Sequence, residues 1–548
     1  MTSTFHGLET ARRAMAAQQA ALLTTGHNIA NANTPGYTRQ RVNLQTSESY
    51  PAASLNRPQI PGQIGTGVQV GDVQRIRDSF VDMQLRGETS KLGYWEARSE
   101  QLSQMESVMN EPSETGLANT IDQFWNSLQD LAAQPQNNGA RRVVRQRGIA
   151  VADSFNYLST SLQAVQKNYR NEINISEQNV NSILRQINQV NKQIGDVEPH
   201  GMLPNDLYDE RDRLIDELST MVNIKVESKS SGGHASPNAE GLLNVYLANP
   251  QGDVLMDGSN PPKPIKLIDS DTNRAIGFNI QYENREVLDS PVTTIKFFEL
   301  DSESGFKGLT QSEADTSNTP EYQIADVTQF NTNGKLRGYM EGYGYKNSAG
   351  DVEGLFNKML SDLDTMAYTF ATKFNEVHQS GWSPIDIIAG TDTAQDFFSI
   401  PAGVVKGAAA NIKIADKILE DVDNIAAAQK TVDNVAYVGN GTNALALADV
   451  KDAVLDYGGN KTNVQAFYQG MIGTLGDNAS QANRMTEVAG VLKDSLDQQR
   501  MSVSSVSLDE EMTDMIKYQH AYNAAARNIT LMDEMLDKII NGMGVGGR

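Results

Sequence analysis

Between residues 515 and 543 an apolar side chain returns every three or four positions without a miss: Met515, Tyr518, Tyr522, Ala525, Ile529, Met532, Leu536, Ile539 and Met543. A repeat of about 3.5 residues held over about four heptads makes a narrow stripe, and a helix that carries it packs lengthwise on another helix. Ser507-Leu-Asp-Glu-Glu reads as its start, with Ser507 as N-cap and Glu510 at the capping-box position. The Gly-rich GMGVGGR reads as its stop. The same pattern also fits an amphipathic helix on a globular core.

The other end of the chain has a thinner counterpart. Leu8, Met15, Leu22 and Ile29 recur every seventh residue among alanines, on a helix expected to end near Asn31. Thr34-Pro-Gly-Tyr37 then fits a type II turn, with Pro35 where φ must be fixed and Gly36 where it must be positive. Neither stripe buries enough on its own, so each segment is expected to need the other and neighbouring copies.

Long helical seams lie between. One is Phe155, Leu158, Leu162, Val165 and Tyr169, followed after a stutter by Val180, Ile183, Ile187, Val190 and Ile194. A continuous helix over 155–194 would be about 60 Å long. Phe356, Met359, Leu363, Met366 and Phe370 repeat the pattern. From about 228 the chain turns rich in Gly, Ser, Pro, Asn and Asp, with strand-like GLLNVYLA (241–248), AIGFNIQY (275–282) and VTTIKFFEL (292–300). FFSIPAGVV (397–405) and ANIKIA (410–415) read as strands, and the Ala-rich stretches after 424 as helix.

The expected fold is therefore multidomain and mainly α in its core, with terminal coiled-coil helices, a long helical bundle and β-rich insertion. The expected parts are 1–50 with 500–548 as the coiled-coil core; 51–227 with 336–382 and 456–499 as an elongated helical domain; 228–335 as an inserted β-rich domain; and 383–455 as a mixed α/β insertion.

Composition narrows the function. The formal charge is −22, from 46 Lys and Arg against 68 Asp and Glu, so nucleic acid is a poor partner. There is no run of about 18 apolar residues, and membrane insertion is not expected. The opening residues lack the charged and apolar blocks of an ordinary secretory signal. With no cysteine, disulfides, thiolate metal sites and Cys nucleophiles are excluded. HExxH, Walker and G-x-S-x-G patterns are absent, and His6, His27, His200, His234, His378 and His520 show no metal-ligand spacing. The run from Asp269 to Asn273 opens like a calcium loop, but Arg274 replaces its glycine and Ile280 its bidentate Glu. Arg141, Arg142, Arg145 and Arg147 read as a solvated helix face. The charges of NDLYDERD (205–212) read as surface pairs flanking the stripe of Leu207, Leu214, Ile215 and Leu218. No enzyme, cofactor or metal is expected.

Residues 7–42, GLETARRAMAAQQAALLTTGHNIANANTPGYTRQRV, resemble the N-terminal signature of bacterial flagellar axial proteins, the rod, hook and hook-associated proteins. Within that family, 205–227, 338–382 and 505–544 resemble the hook-associated protein 1 branch. Ser505 stands where that branch usually has Gly, which raises the expectation of positive φ there.

The resemblance implies a structural role at the hook–filament junction, required for filament assembly, outside the cell after export by the flagellar type III apparatus. It implies self-assembly into a ring or helical junction, contact with hook protein and with a second junction protein or flagellin, and a cytoplasmic chaperone on the C-terminal helix. The implied assembly interface is Leu8, Met15, Leu22, Ile29, Asn31, Asn33, Pro35, Tyr37, Met515, Tyr522, Ile529, Leu536 and Ile539. The alternatives are the hook protein itself, or a secreted hydrolase or adhesin.

Overall fold

The computed structural model describes residues 4–51, 62–110, 113, 116–259, 261–391, 393–401, 403–429 and 436–542. Helix α1 (Thr4–Ala30) leads into a hairpin of β1 (Gln40–Thr46) and β2 (Val68–Arg75), followed by α2 (Ser79–Met109), α3 (Leu117–Ala133), α4 (Asn138–Val197) and α5 (Asn205–Met221). Strands β3 (Ile224–Lys229), β4 (Leu242–Leu247), β5 (Lys266–Asp269), β6 (Arg274–Tyr282) and β7 (Val292–Glu299) come next. Then follow α6 (Gln311–Thr316), β8 (Tyr322–Ile324), α7 (Lys335–Tyr343), β9 (Tyr345–Lys346), β10 (Val352–Glu353) and α8 (Leu355–Ser380). Short elements fill the next stretch: α9 (Pro384–Ala389), β11 (Phe398–Ser399), α10 (Ala408–Asn411), β12 (Lys413–Ile414), α11 (Asp416–Glu420), α12 (Thr442–Ala448), β13 (Leu455–Tyr457) and β14 (Asn460–Thr462). The chain returns through α13 (Val464–Ser504) and α14 (Leu508–Gly542).

The spine is α4, 60 residues and about 90 Å long. Asn137 caps its start by accepting from the Gly139 N–H at 2.8 Å. Its apolar seam is buried from Val144 to Ile194, and includes every residue of the two expected seams except the half-buried Val165. Beside it, α2 and α13 run antiparallel, with Ser99 bonded to Asn483 and Leu92 opposite Gly490.

Eight strands form one sheet in the order β10-β9-β7-β6-β5-β4-β3, with β8 added on β7. The three expected strands are β4, β6 and β7. The sheet packs on the C-terminal half of α4, where polar residues of the helix bond the strand backbone. Asn181 accepts from the Phe278 N–H at 2.7 Å and donates to the Phe278 carbonyl at 2.8 Å. Asn191 donates to the Leu243 carbonyl at 2.8 Å, and Asn188 to that of Asn273 at 3.1 Å. A purely apolar helix would leave those backbone groups unsatisfied in the core.

The region after α8 differs from expectation. Of the strands expected at 397–405 and 410–415, only Phe398–Ser399 and Lys413–Ile414 are strand among the described residues. Of the Ala-rich stretches after 424, Thr442–Ala448 is helical as expected, whereas the alanines at 426–428 are not, and Ala428 exchanges both backbone hydrogen bonds with Trp382. Tertiary anchors override helix propensity here. His378 accepts the Ala426 N–H on Nε2 at 3.0 Å and meets the Gln395 carbonyl through Nδ1 at 2.7 Å. Burial lowers the pKa of its imidazole to about 4. Asn375 holds both N–H groups of Phe397 and Phe398, which join Phe124, Phe370 and Phe374 in an aromatic cluster.

Among the described residues, no helix is long and apolar enough to cross a membrane, and no group of His, Asp and Glu has a metal-binding arrangement.

Candidate assembly interface and the charged hub beneath it

Helices α1 and α14 pack antiparallel, with Gly7 against Met532 at one end and Asn28 bonded to Glu511 at the other. On α14 the seam residues Met515, Tyr518, Tyr522, Ile529, Met532 and Leu536 are half-buried, and Ala525 is buried. Ile539 remains 47% exposed, and Met543 lies outside the described residues. On α1 the stripe Leu8, Met15, Leu22 and Ile29 is half-buried, whereas Ala11, Ala17, Ala21, Thr25 and Asn28 are the buried ones. The small residues sit deepest because a close helix contact leaves no room for larger ones. Each helix keeps a second apolar set in the open: Phe5 and Leu23 on α1, and Met512, Ile516, Leu531, Met535 and Ile540 on α14.

The segment after α1 does more than turn the chain. The Tyr37 N–H donates to the Thr34 carbonyl at 3.1 Å and Gly36 has φ +84°, as a type II turn requires. Asn31 donates to the His27 carbonyl at 3.1 Å and accepts from the Thr34 hydroxyl at 3.3 Å, while Asn33 and Pro35 are exposed. Asn28, 1% exposed, is the hub of the segment. Its Oδ1 accepts from the Tyr37 hydroxyl at 2.7 Å and the Gln40 N–H at 3.0 Å. Its Nδ2 donates to the Gln40 carbonyl at 2.8 Å and to Glu511 at 3.0 Å. Burial, with the fields of Asp209, Asp206 and Glu511, pushes the Tyr37 hydroxyl pKa up, so it stays a donor. The acidic start of α14 is therefore an anchor as well as a helix signal: Arg39 pairs with Glu511 at 2.7 Å and Glu510 at 2.6 Å. Sequence reasoning missed Asn28 and Arg39; their signal was Asn28 falling on the buried side of α1.

Behind this segment Asp209, Arg211 and Asp212 of α5 turn inward, which corrects their reading as surface pairs, whereas Glu210 and Glu217 pair with Arg213 on the surface as expected. Arg75 contacts Asp209 at 3.1 Å, Asp212 at 2.6 Å and Glu240 at 2.9 Å, with its side chain 2% exposed. Arg77 joins Asp212 at 3.1 Å and Asp82 at 2.5 Å. Arg86 bridges Asp212 at 3.2 Å and Asp216 at 2.7 Å. Arg500 reaches Asp216 at 2.6 Å from the end of α13. Burial alone would raise the Asp212 pKa; Arg77, Arg75, Arg86 and Arg211 outweigh it and hold the carboxyl below its usual range. At Asp209 burial wins and the pKa is raised. The Thr38 N–H donates to Asp209 at 3.1 Å, so the network clamps the turn segment to the body. Neighbouring sequence charges can be paired across the surface or gathered inside, and only the location of Arg75 and Arg77 on the hairpin side decides which.

Two further readings change. Arg141 is buried, donating to the carbonyls of Pro135 at 3.0 Å and Ile425 at 2.7 Å, while Arg142 and Arg147 are exposed. Ser505 has φ −76° and ψ 157°, ordinary extended backbone, because the α13–α14 break is made by a β-type residue bonded back to Met501.

The chain is thus a long helical body closed by a paired first and last helix, with a sheet inserted midway. Residues 8–38 match the model of the flagella basal body rod protein, 497–542 that of the flagellar basal body rod FlgEFG protein C-terminal, and 102–398 that of the flagellar hook-associated protein FlgK helical domain. The chain is 44% identical to flagellar hook-associated protein 1 of Bacillus subtilis over 100% of both chains. It is 26% identical to the protein of that name from Salmonella typhimurium, over 96% of this chain and 97% of the relative. The flagellar hook junction protein FlgK from Burkholderia pseudomallei has a similar fold: TM-score 0.57 at 13% identity, over 77% of this chain and 100% of the other. The chain belongs to the flagellar hook-associated protein 1 family and is a structural component of the bacterial flagellum.

Proposed function

We propose that the protein forms the junction between hook and filament and is required for filament assembly, with no catalytic role. The observation that carries this reading is the terminal pair: α1 and α14 cover one apolar face of each other and leave further apolar side chains exposed, Leu23 on α1 and Met512, Ile516, Leu531 and Met535 on α14. An open apolar face on a paired helix is stabilised when further helices cover it. Copies of the chain assemble through these faces into a ring or helical junction. Leu8, Met15, Leu22, Ile29, Met515, Tyr522, Ile529, Leu536 and Ile539 line the helical contacts, and Asn31, Asn33, Pro35 and Tyr37 lie at the connector. Hook protein stands on one side and a second junction protein or flagellin on the other.

The division into a terminal core, an elongated helical domain and two insertions goes with this role: the terminal parts assemble and the insertions face outward. Before assembly a cytoplasmic chaperone covers α14, and the chain leaves by the flagellar type III apparatus. Deleting the gene should leave hooks complete and filaments unattached, with flagellin lost to the medium. Attached filaments of normal length in the deletion strain would overturn the reading.

A further inference from the structure

A strand at the rim of a sheet shows unpaired backbone N–H and C=O groups to whatever comes near, and proteins guard such rims with charged side chains, with short strands or with cover. The large sheet follows that rule. At one end β3 carries Lys225, Glu227 and Lys229, and at the other β10 is two residues long.

The β1–β2 hairpin does not follow it. It is a two-stranded sheet, so each strand has one free side. It lies along α1, with Gln40 at Asn28, Gly67 against Thr10, and the Gly65 carbonyl 3.1 Å from the His6 ring nitrogen. Near its base the free sides are closed by side chains. Asn28 takes the N–H and C=O of Gln40, and Asn205 donates to the Val73 carbonyl at 2.9 Å. Further out, among the described residues, no group from outside the hairpin bonds the backbone of 44–46 or 68–70.

The side chains leave this stretch unguarded as well. Residues 42–47 and 62–71 hold no charged residue and no proline. The nearest charges of the hairpin, Arg41, Glu48 and Asp72, stand at the ends of the stretch, and Glu9 of α1 is paired with Arg12 and Arg13. Leu44 and Val70 lie opposite each other across the strands and are 39% and 37% exposed. A ribbon with open, uncharged sides and an exposed apolar pair is a template for a further strand.

The two free sides also say which strand fits. They belong to antiparallel neighbours. Two copies standing side by side in one orientation therefore bring β1 of the first beside β2 of the second, antiparallel, and the same contact repeats from each copy to the next. An unrelated strand would close one side and leave the other open. In a chain of net charge −22, an uncharged stretch is also where copies approach with least repulsion.

We propose that the hairpin continues its sheet into a second copy of the chain, the free side of β1 at 44–46 pairing with that of β2 at 68–70 in the neighbour. The proposal rests on the junction reading above and adds to it a contact made by backbone rather than by helical seams.

The test uses the full chain, isolated and in purified hook–filament junctions. Amide hydrogen exchange at 44–46 and 68–70 should slow at least about tenfold on assembly. Leu44→Lys with Val70→Glu replaces the apolar pair by a charged pair that still suits neighbouring strands. As an isolated chain this variant should melt within about two degrees of wild type, yet fail to attach filaments in cells. A photo-crosslinking amino acid at Gln69 should capture a second copy, through a peptide that holds residues 43–47. Unchanged exchange on assembly, normal filaments with the charged pair, or capture of a different protein would each overturn the proposal. If the charged pair unfolds the isolated chain, exchange and capture decide. Immunolabelling separates the levels: absence from the junction sinks the junction reading, whereas presence there with unchanged exchange in the hairpin sinks the strand pairing alone.

Discussion

The α1–α14 pair and the α4-centred body are both built from long helices with regular apolar stripes, yet they finish differently. Helix α4 is buried on one side from Arg141 to Ile194, because α3, α5, α8 and the sheet all close on it. On α14 only Glu511 and Ala525 are buried, and the seam residues from Met515 to Leu536 stop halfway. Burial contributes about 25 cal/mol per Å² of apolar surface, so the body gathers its stabilisation within one chain while the terminal pair gathers part of it. A stripe says that a helix has a partner; it does not say how many, or from which chain.

The sharpest break between the two regions should come from emptying their cores. Phe370→Ala, in the aromatic cluster, should cost about 3–5 kcal/mol by denaturant unfolding of the isolated chain. Ile529→Ala, on the half-covered seam, should cost under about 1.5 kcal/mol in the same assay and do its damage in filament attachment. Equal losses in the isolated protein would mean that the terminal pair is already a finished core.

The hub between the regions is nearly as sensitive. Asp212→Ala leaves Arg75, Arg77 and Arg86 short of a carboxylate in a buried setting, with an expected loss of about 3–5 kcal/mol. Limited proteolysis should then release the terminal segments before the body is cut. A variant that unfolds uniformly would show that the hub belongs to the body alone.

Titration should mark the body. Glu177 is buried beside the sheet and accepts the Ile280 N–H at 3.3 Å; burial raises its pKa to about 8. A raised carboxyl pKa favours the protonated folded state. Its contribution is therefore greatest below the unfolded value near 4.5 and is lost as pH rises towards 8. Glu177→Gln should match wild type near pH 4 and exceed it near pH 8, by on the order of a few kcal/mol. Thermal melts across that range check the sign, and no pH-dependent gap would remove Glu177 as the cause.

Smaller effects belong to the connections. Asn28→Ala strips the Gln40 N–H and the Tyr37 hydroxyl of their acceptor, an expected loss of about 1–3 kcal/mol, seen as faster hydrogen exchange at Gln40. Ser505→Gly should cost about 0.5–1 kcal/mol in thermal unfolding, since φ −76° needs no glycine and the unfolded chain gains entropy. A gain in stability would contradict the extended geometry.

Much of the helical frame was legible because it depends on short-range repetition. The seams at 155–194, 356–370 and 515–536 state their period directly, and the turn at Thr34–Tyr37 follows from Pro35 and Gly36. Strands β4, β6 and β7 were legible from β-branched and aromatic runs between turns. The stretch 397–428 was not, because His378 and Asn375 of α8 supply its anchors from outside its own sequence. The interface was legible as a set of seam positions, but the residues packed deepest on α1, from Ala11 to Asn28, are too small to stand out in a hydrophobic pattern.

By itself, then, the sequence determined the period and polarity of its helical seams and the turn that ends the first helix, since these follow from backbone geometry and neighbours three or four positions away, whereas α4 runs on to 60 residues, past the seam expected at 155–194. The tertiary structure decided which charges go inside. Asp209, Arg211 and Asp212 look like any exposed helical run until Arg75 and Arg77 arrive from the hairpin and Glu240 from the loop before β4. A charge is tolerated in the interior only where opposite charges and donors converge on it, and that convergence joins residues more than a hundred positions apart.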